Sequence, residues 1–324
     1  MRVRPSHFLE SAVGETDERL ELFSTPRDWL RYAVGRFRAE GLSFGHGATT
    51  ALDEAAFIIL EALSLPVDTL DPFLDARLLR RERKRLDALI EARVTTRKPA
   101  AYLLNRAYIQ GVRFYVDERV IVPRSFIGEL LMTTLAETNG LTGDSRAIAR
   151  VLDLCAGGAS LAILAALVFP NATIDAADVS ADALAVAQRN VDEHGLSDRI
   201  SLRHGDLFAP LEGERYDLIL VNPPYVDADA LAAFPPEYAA EPRLAHAGGA
   251  DGLDIVRRIL REAPAHLAPD GALICEVGRG QDRLVRDYPD LPFVWLDTEE
   301  SAGEVFLLRA GDFAPSRRRP RPKA

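Results

Sequence analysis

The chain has 324 residues, 48% of them hydrophobic and 27% charged, and carries a formal net charge of −10. That length can bury two cores, and no apolar stretch reaches the eighteen or more consecutive residues of a membrane span. The acidic balance argues against a general nucleic-acid binder, although it leaves room for a local basic patch and for attraction to a basic protein substrate. Residues 1–7 lack the apolar segment of a secretory signal. The two cysteines, Cys155 and Cys275, make no disulfide framework, so the expectation is a reduced, cytoplasmic protein with no membrane partner.

Residues 1–106 read as a helical domain. Thr50-Ala51-Leu52-Asp53 resembles a capping box, followed by Ala55, Ile58, Ile59 and Leu63 at helical spacing until Pro66. A second helix, over roughly 75–94, carries Leu78, Leu79, Leu86, Leu89 and Ile90 on one face. Its other face holds Arg80, Arg81, Arg83, Lys84 and Arg85, first of all a solvated surface laced with Glu82 and Asp87. A weak contact with ribosomal RNA is the second reading of that face. From 107 to 122 the period becomes alternating, which predicts a hairpin linker over 107–123 with Gly111 at a bulge or turn and Asp117-Glu118 at the tip. Pro123-Arg124-Ser125 then breaks the pattern before a helix over 126–138, and the polar stretch 137–146 has the composition of a domain edge.

Beyond it, strand and helix alternate through a domain spanning 124–311, the mark of a mostly parallel α/β sheet covered by helices. Strands are expected at 150–154, 173–177, 200–204, 216–222, 272–277, 293–297 and 304–309. Ser180 caps the helix after the second strand and Gly195 ends it. The basic, proline-rich stretch 312–324 reads as a disordered tail.

Four consecutive strand ends carry polar or glycine-rich chemistry. The first ends Asp153-Leu154-Cys155-Ala156-Gly157-Gly158-Ala159, a turn through which a ligand can approach the backbone, or else a plain tight turn. Asp178 closes the second strand 21 residues after Gly157, where a doubly wound fold places a carboxylate on ribose hydroxyls. The positions after Gly157 lack a dinucleotide fingerprint, so an adenosine-bearing cofactor without a pyrophosphate fits better. Asp206 at the end of the third strand is placed to accept from an adenine amine, with Leu207 or Phe208 over the ring; a helix-capping aspartate is the alternative. The fourth strand runs into Asn222-Pro223-Pro224-Tyr225, where two prolines stop the ladder and stiffen the corner. An amide and a flat aromatic wall held there suit a planar group bearing an NH2. The six histidines show no ligand spacing, and no metal site is expected.

Taken together, the glycine turn, Asp178, Gly205-Asp206-Leu207-Phe208 and Asn222-Pro223-Pro224-Tyr225 resemble the class I S-adenosylmethionine-dependent methyltransferases that modify amide or exocyclic nitrogens. Pro99-Ala100-Ala101-Tyr102-Leu103, Phe114-Tyr115-Val116-Asp117-Glu118-Arg119-Val120, Pro236-Glu237-Tyr238, Glu241-Pro242 and Asp251-Gly252-Leu253-Asp254 extend the likeness to the bacterial protein-glutamine N5-methyltransferases. Pro123-Arg124-Ser125 and Phe44-Gly45-His46-Gly47 are similar to the branch acting on large-subunit ribosomal protein L-three. Release-factor glutamine, an exocyclic amine of nucleic acid, and a non-catalytic assembly role are the alternatives. The resemblance implies a seven-stranded, mostly parallel sheet and S-adenosylmethionine held by Asp153, Cys155, Gly157, Ala159, Asp178, Asp206, Leu207 and Asn222. It also implies a substrate amide held by Asn222, Pro223, Pro224 and Tyr225 with Arg124; Asn222, Pro223 and Tyr225 would carry the catalysis. The family turn commonly reads Thr-Gly-Ser-Gly, so Ala159 replaces a glycine. A positive φ there would strain it by about 1 kcal/mol.

Overall fold

The computed structural model describes residues 18–135, 148–299 and 301–314. The described residues fall into two compact units: those up to Arg106 with Pro235–Ala240, and those of Ala107–Phe234 with Glu241 onward.

The first unit is helical. Helix α1 (Pro26–Ala39) opens with a reciprocal capping box between Thr25 and Asp28. In α2 (Ala51–Leu63) the Thr50 hydroxyl accepts from the Asp53 N–H, as its sequence indicates. Helix α3 (Arg80–Thr96) begins about five residues later than its periodicity predicts. Leu78 donates its N–H to Ser24 O, and the extended Leu79 (φ −69°, ψ 153°) donates to the Glu82 carboxylate, so the turn before Arg80 is spent on other partners. With α4 (Ala100–Leu104) these helices enclose Trp29, Phe37, Ile58, Ile59, Leu86 and Ile90. Arg93 is fully buried beneath them, its Nε 2.9 Å from Glu54 Oε2. The sequence pattern places Pro235–Ala240 in the other domain. Glu237 ties it to the helices instead: its buried Oε1 accepts from Ser43 N–H at 3.1 Å and lies 2.7 Å from Arg97 Nη2.

The second unit starts with a hairpin, β1 (Ala107–Ile109) and β2 (Val112–Phe114), that turns at Gln110-Gly111, both in the left-handed region. The tip is therefore not at Asp117-Glu118. Pairing stops at Phe114 because the next N–H, that of Tyr115, donates to Asn190 Oδ1. Asp117 instead accepts from Tyr115 Oη and Arg119 in a local turn. Ile109 and Phe114 pack into the core of this unit, so the hairpin is part of it, not a separate linker.

Helix α5 (Phe126–Leu130) continues into a π turn over Leu131–Leu135; the rest of the expected helix, the polar edge, most of the basic tail and residues 1–7 lie outside the described residues. Then come β3 (Arg150–Leu154), α6 (Ser160–Val168), β4 (Thr173–Asp178), α7 (Ala181–Glu193), β5 (Ile200–His204), β6 (Tyr216–Val221), α8 (Ala228–Ala232), α9 (Asp254–His266), β7 (Leu267–Glu276), α10 (Gln281–Asp287), β8 (Val294–Leu296) and β9 (Val305–Arg309). The strands form one seven-stranded sheet in the order β5-β4-β3-β6-β7-β9-β8, parallel up to β7 and antiparallel beyond. Helix α6 is apolar all round, Leu161 to Ala166 being buried, as expected of a helix covered on every side. Strand β7 starts five residues before its expected first residue, running through Pro269-Asp270-Gly271 beside a register shift at Tyr216/Leu218. Among the described residues no helix is long and apolar enough to cross a membrane.

Candidate active site

The sheet winds outward from β3 in two directions: through β4 to β5 on one side, and through β6 to β7 on the other. The gap outside the carboxyl ends of β3 and β6 is the switch point where open α/β sheets bind ligands. Leu154 and Val221 are register partners there, so Cys155 and Asn222 leave the sheet side by side.

The turn after β3 is left-handed at three places, Cys155 (φ +62°), Gly157 (φ +52°) and Ala159 (φ +62°). Ala159 is wholly buried and caps α6 with φ +62°, ψ +30°. Inside the turn, Asp153 Oδ2 accepts from the Ala162 N–H at 2.8 Å in the first turn of α6. Burial pushes the Asp153 carboxyl up to about 7, the nearby Asp178 adding to the shift. Asp178 in turn accepts from Gly157 N–H and Ser180 N–H, both at 2.8 Å, one on each oxygen. Burial raises its pKa, and those donors oppose the rise. Asp206 pairs with Arg258 at 2.9 Å. Of the two candidate ring covers, Leu207 (φ +49°) lines the cavity described below, whereas Phe208 is buried and stacked on His266 at 4.6 Å.

At the proline corner the Asn222 Nδ2 donates to the Arg124 carbonyl at 3.0 Å, which fixes the amide with Oδ1 as its remaining polar atom. Arg124 is itself held in a two-point pair with buried Glu241, at 2.8 Å on each oxygen. Glu241 also accepts from Val122 N–H at 2.9 Å and lies 2.9 Å from His246 Nε2. Tyr225 donates its hydroxyl to Glu276 Oε1 at 2.8 Å. The other oxygen of Glu276 takes the Ser125 hydroxyl at 2.7 Å and the Phe126 N–H at 3.0 Å. Burial, reinforced by Glu276, drives the Tyr225 phenol far above its usual range, so it stays a neutral donor. A Cβ on Gly278 (φ +50°) would sit 2.9 Å from the Tyr225 ring, so only glycine lets the ring lie against that turn.

These segments surround one cavity of about 390 Å³, built wholly from the second unit. The β3 turn contributes Cys155 and Gly157; the next two strand ends contribute Asp178, Asp206 and Leu207. The corner contributes Asn222, Pro223, Pro224 and Tyr225, and Arg124 is the last of the predicted residues that line it. Asp153 and Ala159 do not line it. Asp153 borders a smaller recess of about 50 Å³ that shares Arg124, Cys155, Gly157 and Asn222 with the cavity. Glu241, Glu276, Ser125 and Gly278 received no role from sequence reading; for Glu276 the available signal was a lone carboxylate ending an apolar strand. Among the described residues no group of His, Cys, Asp or Glu is placed to hold a metal ion.

The residues fit S-adenosylmethionine. The volume lies within the roughly 300–1,000 Å³ usual for small-molecule sites. The Asp178 carboxylate has about four acceptor sites, and its backbone donors Gly157, Ser180 and Val179 leave room for a ribose hydroxyl.

The left-handed, buried Ala159 sets a size limit. Ala159→Gly should change stability by less than about 1 kcal/mol, because relief of about 1–2 kcal/mol of strain is offset by loss of a buried methyl and by added chain entropy. Ala159→Val should cost about 2–4 kcal/mol, combining a β-branched residue at positive φ with overpacking. Denaturant titration of both variants checks this; a valine tolerated as well as glycine would contradict the left-handed assignment.

A methyltransferase small domain model matches residues 128–234. The chain is 58% identical over 288 residues to the ribosomal protein uL3 glutamine methyltransferase of Bradyrhizobium diazoefficiens, covering 88% of this chain and 90% of that one. To the protein of the same name from Bordetella pertussis it is 53% identical, covering 91% and 97%. A solved methyltransferase from Pyrococcus furiosus aligns with a TM-score of 0.43 at 17% identity, over 71% of this chain and 98% of its own. The sheet order and its antiparallel edge are those of the class I methyltransferase fold that the resemblance implied. With more than half of its residues identical across some nine-tenths of its length, the chain belongs to the family of ribosomal protein uL3 glutamine methyltransferases.

Proposed function

We propose that the chain methylates the side-chain amide nitrogen of a glutamine in ribosomal protein uL3, with S-adenosylmethionine as donor, in the cytoplasm. The observation that carries the reading is the orientation of Asn222: one N–H of its amide donates to the Arg124 carbonyl, which fixes the amide plane and leaves Oδ1 as an acceptor at the switch point.

An amide nitrogen is a poor nucleophile because its lone pair is delocalised into the carbonyl. Asn222 Oδ1 and the Pro223 carbonyl accept its two N–H groups, which aligns the nitrogen and stabilises the positive charge that develops on it. Tyr225, backed by Gly278 and tied to Glu276, packs on the amide plane. Asp178 holds the donor's ribose, Asp206 its adenine amine, and Leu207 covers the ring. When bound, the donor would supply a methyl group from a sulfonium that departs as a neutral thioether, and the methylated nitrogen would then release one of its two protons to solvent to restore a neutral amide.

The test is transfer of labelled methyl to ribosomal particles from cells lacking the enzyme. Label in a uL3 glutamine is expected; label in RNA alone, or nowhere, would sink the reading. Asn222→Ala should lower kcat on the order of 10²-fold while calorimetry shows a far smaller change in cofactor affinity. The reverse pattern would remove Asn222 from the substrate.

Tyr225 acts through its hydrogen bond to Glu276, which also takes Ser125 and Phe126, so Tyr225→Phe should lower kcat on the order of 10-fold by loosening the aromatic wall and Glu276→Gln at least as much. The double variant should lose little more than Glu276→Gln alone. Losses that add in full would mean that the two residues work independently.

A further inference from the structure

The sequence between Arg77 and Arg85 holds six cations and one acid, net +5 over nine residues in a chain of net −10, so the remainder carries −15. Reading that cluster as a solvated surface requires Glu82 and Asp87 to neutralise it. Neither does. The Glu82 carboxylate caps the Leu79 N–H at 2.8 Å, and the buried Asp87 holds Arg19 at 2.8 Å. Arg77, Arg80, Arg81, Lys84 and Arg85 are all exposed and have no hydrogen-bond or ion-pair partner among the described residues. Other arginines of the same unit are employed internally: Arg27 with Asp75, Arg36 with Glu91, Arg93 with Glu54, Arg97 with Glu237.

Local physics also opposes this arrangement. Arg80 and Arg81 occupy the first turn of α3, where the helix dipole disfavours cations. Arg80 with Lys84 and Arg81 with Arg85 are like-charge pairs at i,i+4, which destabilise a helix. The chain therefore accepts a cost with no intramolecular return, and an external anion can offset it.

We propose that the exposed face of α3 is a docking surface for the phosphate backbone of RNA, namely the RNA packed around the ribosomal protein substrate. This rests on the uL3 reading above. The two pairs form parallel rungs, each rising about 6 Å along the helix, a line of charge suited to a linear polyanion and not to a single anion. Arginine forks grip phosphate at two points. No aromatic side chain shares this stretch of α3, so the surface reads backbone charge and not base sequence.

The full-length protein and its Arg80→Gln, Arg81→Gln, Lys84→Gln, Arg85→Gln variant distinguish the outcomes. With a labelled RNA hairpin as probe, log K for the natural chain should fall against log salt with a slope of roughly −3, as expected for four neutralised phosphates. The variant should bind at least about 10-fold more weakly at low salt, with a slope near zero. Salt-independent affinity of the natural chain, or equal binding by both proteins, overturns the proposal. So does competition by polyglutamate as strong as by RNA, which would mark an acidic protein surface. In methyl transfer, the variant should match the natural chain on isolated uL3 and fall about 10-fold on ribosomal particles. Equal loss on both substrates, or none on either, counts against RNA docking. Failure of the natural chain to label isolated uL3 or particles would instead defeat the uL3 reading, leaving the hairpin result to decide the surface. The variant's Tm should equal or exceed that of the natural chain, since like-charge pairs are gone. A second variant, Arg80→Lys, Arg81→Lys and Arg85→Lys, keeps the charge and should keep the salt slope; its loss would exclude a backbone contact.

Discussion

Two buried carboxylates, Glu241 and Glu276, hold the short segment from Val122 to Phe126, and the geometry of the cavity depends on that grip. A carboxylate removed from water must recover its hydration from fixed donors. Glu241 does so with a cation, Arg124, and a backbone N–H. Glu276 has no ion-pair partner among the described residues and relies on three neutral donors, from Ser125, Phe126 and Tyr225. Between them they fix the Arg124 carbonyl, and that carbonyl decides which way the Asn222 amide faces. The orientations of Asn222 and Tyr225 thus trace back to acids that do not themselves line the cavity. Ser125 joins the two functions, since its oxygen caps the Ile127 N–H while its proton goes to Glu276.

Much of this site was legible in the sequence because its signals are local. The central strand β6 is a mainly apolar run cut by prolines that cannot extend it, and β3 and β5 were bounded to the residue. The caps at Thr50 and Ser180 were equally plain, since a hydroxyl three residues ahead of its N–H needs no tertiary information. The strand ends then converge because a doubly wound sheet leaves them nowhere else to go.

The remainder was hidden by distance along the chain. Both Gln110-Gly111 and Asp117-Glu118 have turn composition, and the choice between them hangs on Asn190, 75 residues from Tyr115. The bond between Ser125 and Glu276 spans 151 residues, and that between Ser43 and Glu237 spans 194. In each case a polar side chain takes a backbone or hydroxyl proton that no periodicity assigns to it. The late start of α3 has the same origin, with Leu78 N–H given to Ser24.

Backbone strain gathers at the same sheet edge. Cys155, Ala159 and Leu207 all take positive φ without being glycine. Such conformations persist only where their surroundings over-determine them. For Ala159 the surroundings are visible: its N–H donates to Ala156 O, its carbonyl accepts from Ile163 N–H, and its side chain is wholly buried. The left-handed turn lets Gly157 reach Asp178 while α6 still starts at Ser160 and seats its apolar barrel in the core. A relaxed alanine would move either the helix or the N–H that fixes the Asp178 carboxylate. The strain at position 159 is therefore the local cost of joining a buried helix to an open ligand edge within five residues, and the burial of α6 is what holds it in place.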